Sequence, residues 1–209
     1  RLPVDSDVED VYTFWFGDVP DVIARSTTAA VAERQRERWF GKADETDARI
    51  RRCFGAFLDE TSLKVLNAWR VTPRGALCAV LVLDQFSRNV YRDTAKAFRW
   101  DAVALEWCRE GLEGAIDAVL EPIERVFFYL PLEHSEAHAD QIESVRRFTA
   151  LRDEAAGADR ETLENMLSFA IAHERVISRF GRYPHRNAAL GRVSTAQERA
   201  FLTEPGSSF

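Results

Sequence analysis

The stretch "TPRGALCAVLVLDQF", residues 72–86, limits what this chain can become more than any other. Thr72 offers a side-chain oxygen to the first turn of a helix. Pro73 stands at the first helical position, where its missing N–H costs nothing. The residues that follow are apolar on every face of a helix, and such a helix has to be surrounded by other elements. The spacing therefore predicts a buried central helix from about Thr72 to Phe86. The longest unbroken apolar run, Ala76–Leu83, has eight residues, too few to cross a bilayer.

The surrounding elements also read as helices. Strand signals are nearly absent. Val8–Phe16 is a predicted helix, with Asp5 or Ser6 ahead of it and Gly17 behind. A second follows Thr27 or Thr28 and stops at Gly41. A third begins after Asp44, with Ile50, Cys53, Phe54, Phe57 and Leu58 as its buried stripe. Leu63–Trp69 is a short one. Later helices carry Trp100, Val103, Trp107 and Leu112, then Val126–Leu130. Ser135 is expected to start the next, with Glu136 in its first turn, where the helix dipole favours a carboxylate. Asp159 is expected to start the longest, which ends at Gly181. In the last, Ser194 precedes Gln197 at capping-box spacing, and Phe201 and Leu202 follow. About ten helices with short connections make an all-α fold, read as a single domain over residues 1–209. Trp15-Phe16 and Trp39-Phe40 recur 24 residues apart, but no repeat period continues and the tetratricopeptide consensus is not present.

Composition narrows the function classes. A chain of 209 residues that is 46% hydrophobic and 11% aromatic can bury a core. A net charge of -6 and a pI near 5.4 argue against the broad basic surface that nucleic-acid binding needs. No membrane partner is expected either. The chain opens on Arg1 rather than Met, so native residues are expected to precede it, and no signal-peptide pattern is read there. Cys53, Cys78 and Cys108 lie far apart among apolar neighbours. They read as reduced core residues of a cytoplasmic protein, with nothing beside them in sequence to activate a thiol.

The informative residues are polar ones at positions meant for burial. In the long helix, Met166, Phe169, His173, Val176 and Phe180 form one stripe. Leu163, Leu167, Ala170, Glu174 and Ile177 form its neighbour. His173 and Glu174 interrupt them, as a satisfied core histidine and a paired carboxylate or as functional groups. In "LDQFSRN", Asp84 and Arg88 share a helix face and are expected to pair. Either Asn89 simply ends the helix there, or Arg88 is held so that its guanidinium fork meets an anion. "LPLEHSEAH" gathers Glu133, His134, Glu136 and His138. This resembles a zinc spacing only loosely, and helix N-terminal polarity explains the acids more simply, so no metal or other cofactor is expected.

"RFGRYPHRNAALGR", residues 179–192, is the positive exception in an acidic chain. From His173 to Arg192 there are five Arg, two His and one acid. Basic residues near a helix C-terminus complement its dipole, and Gly181 can supply a left-handed cap. That accounts for Arg179 and Arg182 but not for "PHRN". His185, Arg186 and Asn187 are suitable donors for a carboxylate or phosphate, or else they bond loop carbonyls and cap the following turn.

"VYTFWFG", "RWF", "LDQFSRN", "AFRWD", "FFYLPLEHSE", "HERVISRFGRYPHRN", "LGRVST" and "AFL" occur in the order found in a bacterial family known as domain of unknown function 924, which the chain resembles over nearly its whole length. The resemblance implies antiparallel helices classed with tetratricopeptide-like α-α superhelices. It brings no established activity and no assigned catalytic residues. One departure is Ser87, where proline is the more usual residue, and it bears on the geometry before Arg88. Tetratricopeptide-like arrays usually present a concave face to peptides or partner proteins.

Two functions follow as alternatives. In the first, Arg88, Asn89, Arg182, His185, Arg186 and Asn187 bind a small anionic molecule, and His134, His173 and Glu174 move protons. No nucleophile motif, Walker loop or dinucleotide fingerprint is present, so any enzyme would be acid–base or hydrolytic without a nucleotide cofactor. In the second, the chain is a helical interaction module for a peptide or protein partner, with these polar groups paired internally.

Overall fold

A computed structural model describes residues 7–17, 27–41 and 44–207. Among these the fold is all-α, with no strand. Helix α1 is Val8–Phe16, α2 is Thr28–Phe40 and α3 is Asp44–Phe54. Phe57 and Leu58, expected on the α3 stripe, lie in a 3-10 turn after it and are buried there. The short α4 is Leu63–Trp69. Helix α5 starts at Pro73 and runs on through a π-helical turn, Val82–Phe86, into Ser87–Val90. There follow α6 (Asp101–Glu113), α7 (Pro122–Glu133), α8 (His138–Glu154), α9 (Gly157–Phe180) and α10 (Ala196–Phe201).

Helix α5 occupies the centre. Every residue from Gly75 to Asp84 is buried, and α1, α4, α6 and α7 pack against it. Thr72 caps it as expected, its Oγ1 accepting from Gly75 N at 3.1 Å. Gly75 is required by close approach, because a Cβ there would lie 1.9 Å from the Trp69 carbonyl. Around α5 the aromatic core joins Trp15, Phe16, Trp39, Phe86 and Phe127, with ring centroids 4.6–6.4 Å apart. Such edge-to-face contacts add to the burial of area. Helices α8 and α9 form a long antiparallel hairpin against α7. Val176, Ile177 and Tyr183 make a second small cluster with Phe180 and Phe201.

The π turn has a local cause and a local repair. Ser87 Oγ donates to Leu83 O at 2.6 Å, and Arg88 Nη1 donates to Asp84 O at 2.6 Å. Ser87 also reaches Ala97 O at 3.1 Å, tying the turn to the segment before α6. Single π turns within helices often mark functional sites.

Several helix starts differ from the expected ones. Asp7 caps α1; Asp5 and Ser6 lie outside the described residues. Helix α7 is longer than Val126–Leu130 because Pro122 and the Glu121–Glu124 box start it earlier. Helix α8 begins at His138 rather than at Ser135, because Ser135 Oγ is spent on a turn, accepting from Ala137 N and bonding Asp140. Helix α9 begins at Gly157. Asp159 sits inside its first turn and accepts from Ala29 N at 2.8 Å, capping α2 instead. The last capping box is Thr195–Glu198, one residue beyond Ser194–Gln197, because Ser194 Oγ accepts from Asn187. Gly181 ends α9 in the left-handed region, at φ 68°. Phe169 is 50% exposed rather than on a buried stripe. Cys78 and Cys108 are buried and Cys53 partly so. No helix among the described residues is long and apolar enough to cross a membrane.

Leu81 and Leu83 are at most 1% exposed. Leu81→Ala and Leu83→Ala are each expected to lose about 2–5 kcal/mol in urea melts. Losses below about 1 kcal/mol in both would place the core elsewhere.

Candidate functional site

Where α5, α6, α7, α9 and the loop after α9 meet, ionisable side chains converge. Asp84, 1% exposed, is presented by the π turn. Its Oδ1 accepts from His134 Nδ1 at 2.7 Å and faces Arg88 Nη1 at 3.2 Å. Its Oδ2 accepts from Gln85 at 2.7 Å. Arg88 also forks onto Asp101, with both contacts at 3.0 Å. Arg186 Nη1 reaches the same carboxylate at 3.1 Å. The Arg186 guanidinium lies between the rings of Phe98 and Tyr183, 4.7 and 4.6 Å from their centroids.

Behind this charged group lies a neutral one. His173 Nδ1 is 2.8 Å from Phe169 O and 3.1 Å from Glu133 Oε1. A carbonyl oxygen only accepts, so Nδ1 carries the proton. Tyr183, fully buried, donates to Glu133 O and accepts from Gln141 Nε2 at 2.9 Å. The same Gln141 amide donates to Glu133 O and Ser135 O, taking up carbonyls at the end of α7. The rings of His134 and His173 are 6.2 Å apart, and those of Tyr183 and His185 are 5.4 Å apart.

The charge states follow from burial and neighbours. Burial alone would raise the Asp84 carboxyl, but Arg88 and His134 hold it well below the usual carboxylate range. Burial, then the charge of Asp84, pushes Glu133 up to about 8. Burial and the Arg88 charge lower His134. Burial, then His134, takes His173 down to about 3, and burial, then Arg186, takes His185 down to about 4. At neutral pH the three histidines and Glu133 are uncharged, while Asp84 is ionised. His134 therefore carries its proton on Nδ1, toward Asp84, and its Nε2 is a basic lone pair. Among the described residues no group of His, Cys, Asp and Glu is placed to hold a metal ion.

The sequence model of a family described as "Bacterial protein of unknown function (DUF924)" matches residues 11–206, a range that contains every residue of this cluster. The chain belongs to DUF924. A solved structure, a protein of unknown function, ATU0120, from Agrobacterium tumefaciens, is similar at 28% identity with a TM-score of 0.76. The match covers 94% of this chain and 96% of that one. No curated protein matches.

In this DUF924 chain, the residues expected to bind an anion divide into three places. Arg88, His185 and Arg186 lie in the cluster. Arg182 pairs with Glu198 at 2.6 and 2.8 Å, and Asn187 bonds Ser194 and Glu198 at 3.0 and 3.4 Å. These two strap the loop to α10. Asn89 donates to Asp47 at 2.7 Å, in a surface cleft it shares with Arg92. Of the residues expected to move protons, His134 and His173 lie in the cluster. Glu174 turns outward to His138 at 2.8 Å, one position round the helix from His173. Glu136 accepts from Tyr183 N at 2.8 Å and pairs with Arg192 at 2.7 and 2.9 Å, which holds the loop over the site. Asp101 and Tyr183 were not marked by sequence reasoning as site residues, and Glu133 was read as a helix-start acid.

Asp84→Asn is expected to destabilise the protein by about 3–5 kcal/mol, because Arg88 then stays buried without one of its two carboxylates. Calorimetry showing an unchanged melting temperature would mean the pair contributes nothing. Glu133→Gln has a pH signature. An unfolded Glu ionises near pH ~4.3, whereas the folded Glu133 stays protonated until about 8. The wild type therefore loses stability relative to the variant as pH rises between these values, by an amount on the order of a few kcal/mol. Parallel urea-melt profiles across that window would contradict the assignment.

Proposed function

We propose that this protein binds a small molecule bearing an anionic group and acts on it by acid–base chemistry, with His134 as the base. One observation carries the reading. His134 Nδ1 is fixed on the Asp84 carboxylate at 2.7 Å, and its Nε2 has no hydrogen-bond partner among the described residues. The His134 side chain is 15% exposed, so the lone pair belongs to a group open to the outside. A carboxylate behind an imidazole sets its tautomer and stabilises the imidazolium formed when Nε2 takes a proton. Arg88 and Arg186 supply the electrostatic attraction for the anionic part of the ligand. Glu133 and His173, neutral and in contact, form a second proton-holding pair behind the base.

The alternative, an interaction module, calls for an exposed apolar groove. Among the described residues the most exposed large apolar side chains are Phe40, Val71, Val119, Ile142, Phe169 and Val193. The acid–base site accounts better for a polar cluster buried at such expense of solvation.

Long-range nitrogen NMR at neutral pH is expected to show His134 as the Nδ1–H tautomer. A thermal-shift panel of carboxylic acids and phosphate esters is expected to contain compounds that protect the wild type but not His134→Ala. An Nε2–H tautomer, together with a panel in which nothing protects, would remove this reading in favour of the interaction module.

A further inference from the structure

The charged half of the cluster is unevenly satisfied. Asp84 is committed to Gln85, His134 and Arg88. Both oxygens of Asp101 serve Arg88 at 3.0 Å, and Arg186 shares one of them at 3.1 Å. That is the one hydrogen bond the Arg186 side chain makes among the described residues, to an oxygen already in use. Arg186 is 6% exposed, and its Nε is buried with no partner. Leaving a buried donor of a charged group unpaired is costly. Burial and the Arg88 charge also lower the Arg186 pKa, so the cation is less favourable here than in water. Phe98 and Tyr183 nonetheless hold it as a fixed plate. The site keeps a preorganised guanidinium for which its own carboxylates provide too little.

Asp101 differs from Asp84 in exposure and in position. It is 22% exposed at the side chain, against 1% for Asp84, and it stands at the first position of α6. We infer that Asp101 is a displaceable occupant of a carboxylate subsite: a ligand carboxylate replaces it on Arg88 and Arg186, and Asp101 turns to solvent. This inference rests on the acid–base reading for what lies beside the subsite. Arg88 and His134 touch the same oxygen of Asp84, so a carboxylate on Arg88 brings the rest of its molecule to His134. The charge balance selects the class of anion. With Asp101 turned away, Arg88 and Arg186 face Asp84 alone, which leaves one positive charge for a monoanion. The planar two-point contact that Arg88 makes with Asp101 is also the contact that a carboxylate makes.

The test compares the full chain with Asp101→Asn, which keeps the volume and removes the competing charge. Sodium acetate and inorganic phosphate are titrated by calorimetry at low ionic strength. Acetate is expected to bind the variant at least tenfold more tightly than the wild type, and Arg186→Lys in the variant background is expected to abolish the gain. Equal acetate affinity in the two proteins, or none in either, would overturn the inference, as would a larger gain for phosphate than for acetate. If the variant does not fold, the wild type is titrated with acetate while the Arg Nε–H resonances are followed by nitrogen NMR. Acetate then has to shift Arg88 and Arg186 more than phosphate of equal ionic strength does, and equal or absent shifts count against the subsite. The His134 tautomer is recorded on the same samples. If it remains Nδ1–H while the acetate result fails, the subsite assignment alone falls.

Discussion

The Asp84 carboxylate is the constraint on which this site depends. An ionised group so deeply buried survives only with partners of opposite charge and with its lone pairs occupied. The chain supplies these from two directions: Arg88 from the next turn of the same helix and His134 from the end of α7. Arg88 in turn pairs with Asp101, and Asp101 is shared with Arg186. One buried charge in α5 thus fixes how α6, α7 and the loop after α9 approach the central helix. The π turn is the means, since Asp84, Ser87 and Arg88 all take part in its repair.

Much of the helical frame was legible because it rests on local chemistry. Thr27, Thr72, Gly17, Gly41 and Gly181 mark ends that neighbouring sequence alone decides. Ser135, Asp159 and Ser194 were misread for a common reason. Each is a good cap by type, but each finds a better partner at a distance or in a turn. Asp159 serves an N–H of α2, Ser194 serves Asn187, and Ser135 serves its own turn. Residue type shows that a side chain can accept a hydrogen bond; tertiary contact decides whose. The π turn left no mark at all, because an apolar helix looks the same with one residue added to a turn.

The site was legible in part, by its violation of burial. His134, His173, Arg88, His185 and Arg186 stood out in otherwise apolar or structural surroundings. Asp101 did not, and Glu133, though grouped with His134, was explained by helix polarity, since an acid at a helix end is ordinary. The positive density of residues 179–192 also misled. Along the chain it looks like an unmatched basic patch. In space, Arg182, Arg192 and Arg186 meet Glu198, Glu136 and Asp101, which come from elsewhere in the sequence. Much of that charge holds the loop in place, and only the portion around Arg186 is left under-compensated.

The cluster as a whole separates two electrostatic environments within a few ångströms. Asp84, Arg88, Asp101 and Arg186 form a charged half in which Asp84 and Arg88 each stabilise the other's ionised state. Glu133, His173 and His185 form a half in which burial keeps every group neutral. Environments that push titratable groups apart in this way are how a folded chain keeps an acid protonated beside a base that is not. His134 stands on the boundary. It is bonded to the charged half through Asp84 and lies 6.2 Å from the His173 ring of the neutral half. A proton taken up at Nε2 would make an imidazolium whose Nδ1–H is already held by the Asp84 carboxylate. The carboxylate favours the imidazolium, and burial with Arg88 disfavours it. Burial and Arg88 outweigh the carboxylate, so the imidazole stays neutral while its tautomer is set by where α5 places a single aspartate.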